Sequence, residues 1–172
     1  EDVTAPWPLP PFDNASMDGY AVKASDLLAA SDGKPVTLRV VDDVPAGYRA
    51  SVELREGAAI RIMTGAPLPE GAEAIVPLEW TDGGMPEVRI TRSVNRGAHV
   101  RRRGDDVALG EVVATAGTVL GPREIALLAA VGRGRVSVHP QPRVVIISTG
   151  SELVEPGQPL SPGLITDSNG VT

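Results

Sequence analysis

The sequence predicts a mainly β fold with some α, of the α+β class: a small β barrel or sandwich, one later helix, and the opening strand of an α/β unit. Three observations carry that expectation. First, 19 Gly and 16 Pro stand among 172 residues, a density that breaks helix interiors and excludes a helical bundle. Second, short apolar runs recur between residues 36 and 92 with turn residues between them, as in β domains. Third, a continuous apolar run follows Pro140 and Pro142, the pattern of a strand buried on both faces of a parallel sheet. Hydrophobic residues make up 42% of the chain, enough for a packed core and against disorder.

In chain order, Ala5–Pro11 holds four Pro and is extended, because Pro fixes φ and constrains its predecessor. Ser25–Ala30 is expected as a short helix with Ser25 as N-cap and Asp26 in the first turn. Strands are expected at Val36–Val41, Ala58–Met63, Ala74–Leu78 and Glu87–Thr91. Pro45-Ala46-Gly47, Pro67-Leu68-Pro69 with Gly71, and Asp82-Gly83-Gly84 supply turns, the last as a hairpin between Trp80 and Val88. Val107–Gly110 and Glu111–Ala114 read as further strand. Pro122 at a first helical position and Gly132 past the end bracket a helix over Arg123–Val131, with Ile125, Leu128 and Ala129 as its apolar stripe. Arg135–His139 reads as strand, and Arg143–Ser148 as the buried α/β strand. Thr149-Gly150-Ser151-Glu152 then falls in the loop at its carboxyl end, where open α/β sheets bind ligands. Only 24 residues follow Ser148, so the chain is expected to stop just inside a third domain.

Composition excludes several functions. No run of about 18 apolar residues offers a membrane span, and the first residues lack the basic and apolar regions of a signal peptide. The absence of Cys removes disulfides, thiolate catalysis and Cys-ligated metals, and fits a reducing cytoplasm. A net charge of −6 and a pI near 4.9 argue against general nucleic-acid binding. The sign is uneven, however. Residues 1–86 carry 6 basic and 14 acidic side chains, and residues 87–172 carry 10 basic, all Arg, and 8 acidic.

Four segments are candidates for chemistry, each with an ordinary reading beside the functional one. Phe12–Tyr20 brings Asp13 and Asp18 around small polar residues: a carboxylate for a metal or a base, or an Asx-turn linker. Arg61–Pro69 ends a strand at Met63 and then offers the Thr64 hydroxyl with the backbone N–H groups of Gly65 and Ala66. That is either an oxyanion nest or a plain strand exit. Arg101-Arg102-Arg103-Gly104-Asp105-Asp106 joins guanidinium forks to paired carboxylates, for an anion with a divalent cation or for a surface ion network of little weight. Ser148–Glu152 is a ligand loop or a capped βα turn with Glu152 in a helix's first turn. His99 and His139 stand apart without acidic company and are not read as ligands. No dinucleotide or phosphate-loop fingerprint is present.

The order of these segments is informative. FDNASMDGYAV, RIMTGAPLPEGAEAIVPLE, RRRGDDV, REIALLAAVG and PRVVIISTGSELVEPGQPLSPGLITDSN together closely resemble the MoeA/gephyrin E-domain family of molybdopterin molybdenumtransferases, from about Pro10 to Asn169. The resemblance implies molybdenum cofactor biosynthesis: insertion of molybdate into the dithiolene of adenylylated molybdopterin with Mg²⁺, by an elongated cytoplasmic homodimer that engages neither nucleic acid nor membrane. It implies a β-rich domain at residues 14–98 inserted in an elongated linking domain with one helix, Glu1–Asp13 with His99–Pro140, and the truncated start of an α/β molybdopterin-binding domain at residues 141–172. Motif by motif it implies catalytic roles for Asp18, Thr64, Asp106 and Glu152. Substrate contacts fall to Gly65, Arg101, Arg102, Arg103, Thr149 and Gly150, and Mg²⁺ ligation to Asp106 and Glu152. A gephyrin-like scaffold without catalysis is the alternative.

Two positions depart from the family pattern. Asp105 stands where the family usually has Glu, and Ser151 where it has Asp, which removes a charge. The resemblance further implies the front part of a longer enzyme, inactive alone. Physically, molybdate and a pyrophosphate are anions that Arg forks and N–H groups position. Carboxylates hold Mg²⁺ with several waters retained. Cys is unnecessary, because the substrate brings its own thiolates.

Overall fold

The apolar runs of the first half pair into one five-stranded sheet. In the computed structural model, which describes residues 1–171, the strands are β1 Val3–Thr4, β2 Asn14–Ala15, β3 Gly19–Val22, β4 Val36–Val44, β5 Ala58–Ile62, β6 Ala74–Pro77, β7 Glu87–Ile90, β8 Val100–Arg101 and β9 Val112–Ala114. The helix α1 spans Pro122–Ala130, and β10 Leu153–Val154 and β11 Ile165–Thr166 follow. Contacts divide the chain into two units, Glu1–Val136 and the residues from Ser137 onward. The class is the predicted one, mainly β with one α-helix.

The sheet runs β6-β3-β5-β4-β7, antiparallel except for the parallel pair β4–β5. It buries both faces. Tyr20, Val22, Leu38, Val40, Val76, Val88 and Ile90 pack on one side, and Ala21, Val44, Ile60, Ile62 and Ile75 on the other. Strand alternation alone would place Val40 and Val44 on the same face. The β4–β5 register slips between Val40 and Asp42, so Val40 lies opposite Ala59 and Val44 opposite Ile62. This bulge moves the strand's apolar side chains from one core to the other, and Val41, the extra residue, is left exposed.

Two short antiparallel ladders, β1–β9 and β2–β8, tie the N-terminal segment to residues 100–114. Ala5, Val107 and Val131 form a small core there with Leu9, Val113 and Leu127. The helix α1 buries Leu128 and starts on Pro122, while the Glu124 carboxylate accepts the Gly121 N–H at 3.0 Å. Gly132 closes it at φ +77°, and a Cβ there would fall 1.8 Å from the Trp7 ring. Only Gly satisfies both the backbone and the space.

Several expectations need correction. The first short helix is a 3₁₀ turn over Ala24–Leu27 that begins after Lys23, with no side-chain cap; Ser25 lies inside it. The Asp82–Gly84 turn does return the chain, with Thr81 bridged to Ile90, but residues 78–80 form a 3₁₀ turn and β7 pairs with β4 instead. Residues 108–110 are a turn, and β9 begins at Val112. Arg135–His139 and Arg143–Ser148 form no strand among the described residues. Val144, Val145 and Ile147 are exposed. A doubly buried strand needs neighbours on both edges and layers on both faces, and none covers this run among the described residues.

In the second unit, β10 and β11 form a parallel pair, and the Asp167 carboxylate accepts from Ser148 Oγ and from the N–H groups of Asn169 and Gly170. Glu152 precedes β10 directly, so of the two readings of this segment the capped helix start is not formed and a strand follows instead.

Candidate functional site

Register brings Asp18 and Thr64 together. Antiparallel pairing sets Gly19 of β3 opposite Ile62 of β5, so the residues just before β3 and just after β5 meet at one end of the sheet. One carboxylate oxygen of Asp18 accepts both the Thr64 N–H at 2.7 Å and the Thr64 hydroxyl at 2.6 Å. The Asp18 carbonyl accepts the Leu78 N–H at 3.0 Å, at the end of β6. Gly19 makes this convergence possible, because a Cβ there would lie 1.9 Å from the Val76 carbonyl oxygen. The Thr64 hydroxyl and N–H, helped by the Arg61 charge, hold the Asp18 carboxyl below the usual carboxylate range. Asp18 is therefore an ionised acceptor at neutral pH and a poor general base.

The oxyanion nest does not form. The Thr64 N–H is engaged by Asp18, the Gly65 N–H donates to the Ala15 carbonyl at 2.8 Å, and the Ala66 N–H donates to the Met63 carbonyl at 3.0 Å. These backbone donors close the loop rather than facing a ligand. The corner instead offers oxygen lone pairs, suited to a cation or a hydrogen-bond donor. At Gly65 nothing would meet an added Cβ within 4 Å, so a ligand can approach the bare main chain.

The arginine run is organised by Asp13. Its carboxylate accepts the Arg103 N–H at 2.8 Å and the Arg102 guanidinium at 2.6 Å. The Arg103 N–H first, and then Arg102, hold the Asp13 carboxyl below its usual range. Asp105 accepts the Arg102 N–H at 2.7 Å, so the shorter carboxylate at this position closes a local turn. Arg101 is paired with Asp106, both about half exposed. Its backbone is set by β2–β8, which places Arg101 opposite Asn14. The N–H groups of Gly104 and Asp106 reach the carbonyls of Pro10 and Leu9.

Segment 13–18 thus carries two carboxylate clasps, Asp13 on the arginine loop and Asp18 on the Thr64 loop. Leu68 N–H to the Asp13 carbonyl, at 2.9 Å, and the Ala15–Ala66 bond join the same segment to the 64–68 loop. A cleft of about 460 Å³ opens beside Asp13, between Phe12, residues 49–53 and residues 67–70. The role of Asp13 as organiser, and this cleft, are what sequence reading missed. The one signal was that Asp13 lies in the same short motif as Asp18.

Thr149, Gly150 and Glu152 belong to the second unit. The Glu152 carboxylate folds back over Gly150, within 2.6 Å of where a Cβ would stand. No group of three or more His, Asp or Glu side chains that could hold a metal occurs among the described residues. No helix among them is long and apolar enough to cross a membrane. His99 stacks edge-on against Trp80 at 5.6 Å, and Arg92 covers the same indole at 5.2 Å, while the His99 carbonyl accepts the Ser16 N–H and hydroxyl, each at 3.0 Å, within the segment that carries both clasps.

Residues 1–132 match the family model described as MoeA N-terminal region (domain I and II). The chain is 50% identical over 170 residues to molybdopterin molybdenumtransferase 2 of Mycobacterium tuberculosis, covering 99% of this chain and 42% of that protein. It is 41% identical over 173 residues to the molybdopterin molybdenumtransferase of Bacillus subtilis, covering 98% and 40%. A crystal structure of the molybdopterin biosynthesis MoeA protein of Pyrococcus horikoshii superposes with a TM-score of 0.85 at 38% identity, covering 99% of this chain and 46% of that one. The chain spans less than half the length of these relatives. The match over residues 1–132 places this chain in the MoeA family, within its N-terminal region.

Proposed function

We propose that this chain supplies the front part of a molybdopterin molybdenumtransferase, which inserts molybdate into adenylylated molybdopterin during molybdenum cofactor biosynthesis. The observation that carries the reading is the Asp18–Thr64 clasp, built from segments 46 residues apart on two of the motifs that carry the family resemblance. In this reading residues 14–98 are the inserted β-rich domain, and Glu1–Asp13 with His99–Pro140 the linking domain. Residues 141–172 begin the α/β domain. The chain spans about two fifths of the length of the relatives named as transferases, so the activity is proposed for the whole protein. The working enzyme is a cytoplasmic homodimer.

Asp18, held ionised by Thr64, receives a positive or hydrogen-bond-donating group of the substrate complex. Gly65 lets the substrate approach the main chain. The arginine run positions the anionic groups, and Thr149 and Gly150 are proposed as substrate contacts of the second unit by itself. The donors fit a divalent cation: Asp106 and Glu152 are exposed carboxylates, and Asp106 already accepts a positive group in Arg101. Each is by itself a ligand type suited to Mg²⁺, a hard ion that takes one or two carboxylates and keeps several waters. When bound, it supplies charge neutralisation at the phosphoanhydride.

The test is AMP release and cofactor formation by the whole protein, with Mg²⁺ varied, for wild type, Asp106→Ala and Glu152→Ala. Turnover that needs Mg²⁺ and falls at least roughly ten-fold in both variants is expected. Wild-type rates in both variants, or turnover unaffected by chelation, would contradict these assignments.

A further inference from the structure

The three arginines of the 101–103 run are held differently. Arg101 is paired with Asp106, and Arg102 with Asp13. Among the described residues, the Arg103 guanidinium has no carboxylate within ion-pair reach and no hydrogen bond. Its main chain is nonetheless fixed, because its N–H donates to Asp13 at 2.8 Å. The loop around it is closed as well. Gly104 N–H reaches the Pro10 carbonyl at 3.0 Å, Asp105 N–H reaches the Arg102 carbonyl at 3.2 Å, and the Asp105 carboxylate accepts the Arg102 N–H.

Charge does not single out this loop. Arg101, Arg102 and Arg103 are balanced by Asp13, Asp105 and Asp106, so the loop with its clasp is neutral and offers no general positive field. What it does offer is one unengaged guanidinium on an immobilised backbone. A planar fork of that kind matches two oxygens of a phosphate or a tetrahedral oxyanion, and a Lys ammonium does not reproduce it. Preorganising the backbone lowers the ordering cost when the fork engages its ligand.

We propose that Asp13 is a positioning residue that locks the 101–106 loop and presents the Arg103 guanidinium to the anionic part of the substrate, while Arg102 acts as a strut. The inference rests on the molybdenumtransferase reading and sharpens it, by separating the one arginine that contacts ligand from the two that hold the loop. Two anions share the chemistry, the phosphates of adenylylated molybdopterin and molybdate itself. Separate KM values distinguish them.

The experiment uses the whole protein as wild type, Asp13→Ala, Asp13→Asn, Arg103→Ala and Arg103→Lys, with amide hydrogen exchange and steady-state kinetics. In Asp13→Ala the Arg103 amide and its neighbours exchange at least roughly ten-fold faster, while the Thr64 amide, held by Asp18, keeps its wild-type rate. In Asp13→Ala and Arg103→Ala one of the two KM values rises about ten-fold and kcat changes less than about three-fold. Arg103→Lys recovers little of this. Asp13→Asn, which keeps an acceptor for the Arg103 N–H, falls between, and it gives the same reading if Asp13→Ala does not fold. A rise for adenylylated molybdopterin identifies phosphate as the partner, and a rise for molybdate identifies the oxyanion. Unchanged exchange at Arg103 in the Asp13 variants, or both KM values unchanged in Arg103→Ala, overturns the proposal. A wild type that performs no molybdate insertion counts instead against the transferase reading, and the exchange arm still decides the role of Asp13.

Discussion

Thr64 gives both its hydroxyl and its N–H to one oxygen of Asp18, and this double donation decides what the pair can do. The hydroxyl proton is committed, so Thr64 faces a ligand only with lone pairs. Asp18 stays charged and does not accept protons at neutral pH. Thr64→Ala is expected to lower turnover of the whole protein at least about ten-fold, with Thr64→Ser close to wild type, since Ser keeps both donors. A rate for Thr64→Ala equal to that of Thr64→Ser would contradict this. The identities of Asp18 and Thr64 were legible in their motifs, but the direction of their chemistry was not. A short Thr-Gly-Ala run after a strand reads equally as a nest or as an exit. Only the partners Ala15 and Met63 show that its N–H groups turn inward. Asp13 was visible only as a second acid, because its partners lie 89 and 90 residues away.

Segment 13–18 is the element that joins the two clasps, and its position follows from β3. Gly19 lets β3 lie against β6, where any side chain would strike the Val76 carbonyl. Gly19→Ala is expected to cost about 3 kcal/mol and lower Tm by roughly 10 °C, as seen by calorimetry; a shift within about 2 °C would contradict the packing described. Ile60→Ala, in the fully buried core on the second face, should cost about 2–5 kcal/mol by denaturant titration. The strands expected at 36–41, 58–63, 74–78 and 87–91 were readable because apolar runs and turn residues alternate there, although β4 runs three residues further, to Val44. The bulge in β4 was not readable, since a one-residue slip leaves no mark on composition. Nor was the 3₁₀ turn over Ala24–Leu27, where Ser25 resembles a cap by type yet lies inside the turn.

At the scale of the whole molecule, the acidic side chains set the response to pH. Asp13, Asp18, Asp42, Asp82 and Asp167 are all held below the ordinary value of 3.8 by hydrogen bonds from N–H and hydroxyl groups. A depressed carboxyl contributes stability above its unfolded value and loses that contribution as the pH falls through the folded value. The chain is therefore expected to lose stability on acidification below about pH 4. A double variant Asp13→Asn, Asp18→Asn should show a smaller loss over that range by calorimetry, and an identical acid profile would contradict these assignments. The family was legible from motif order, because the order of five segments is far more specific than any one of them. The run at Arg143–Ser148 misled for a physical reason: it has the composition of a doubly buried strand, but a strand takes that form only when partners cover it.

In the proposed function the Asp18–Thr64 clasp belongs to a molybdate-inserting site. Its most direct test is molybdate-dependent formation of molybdenum cofactor from adenylylated molybdopterin by the whole protein, wild type beside Asp18→Ala. Robust wild-type turnover and a loss of at least roughly ten-fold in the variant, with the fold intact by circular dichroism, are the predicted result. Equal turnover in the two proteins, or none in the wild type, would contradict it.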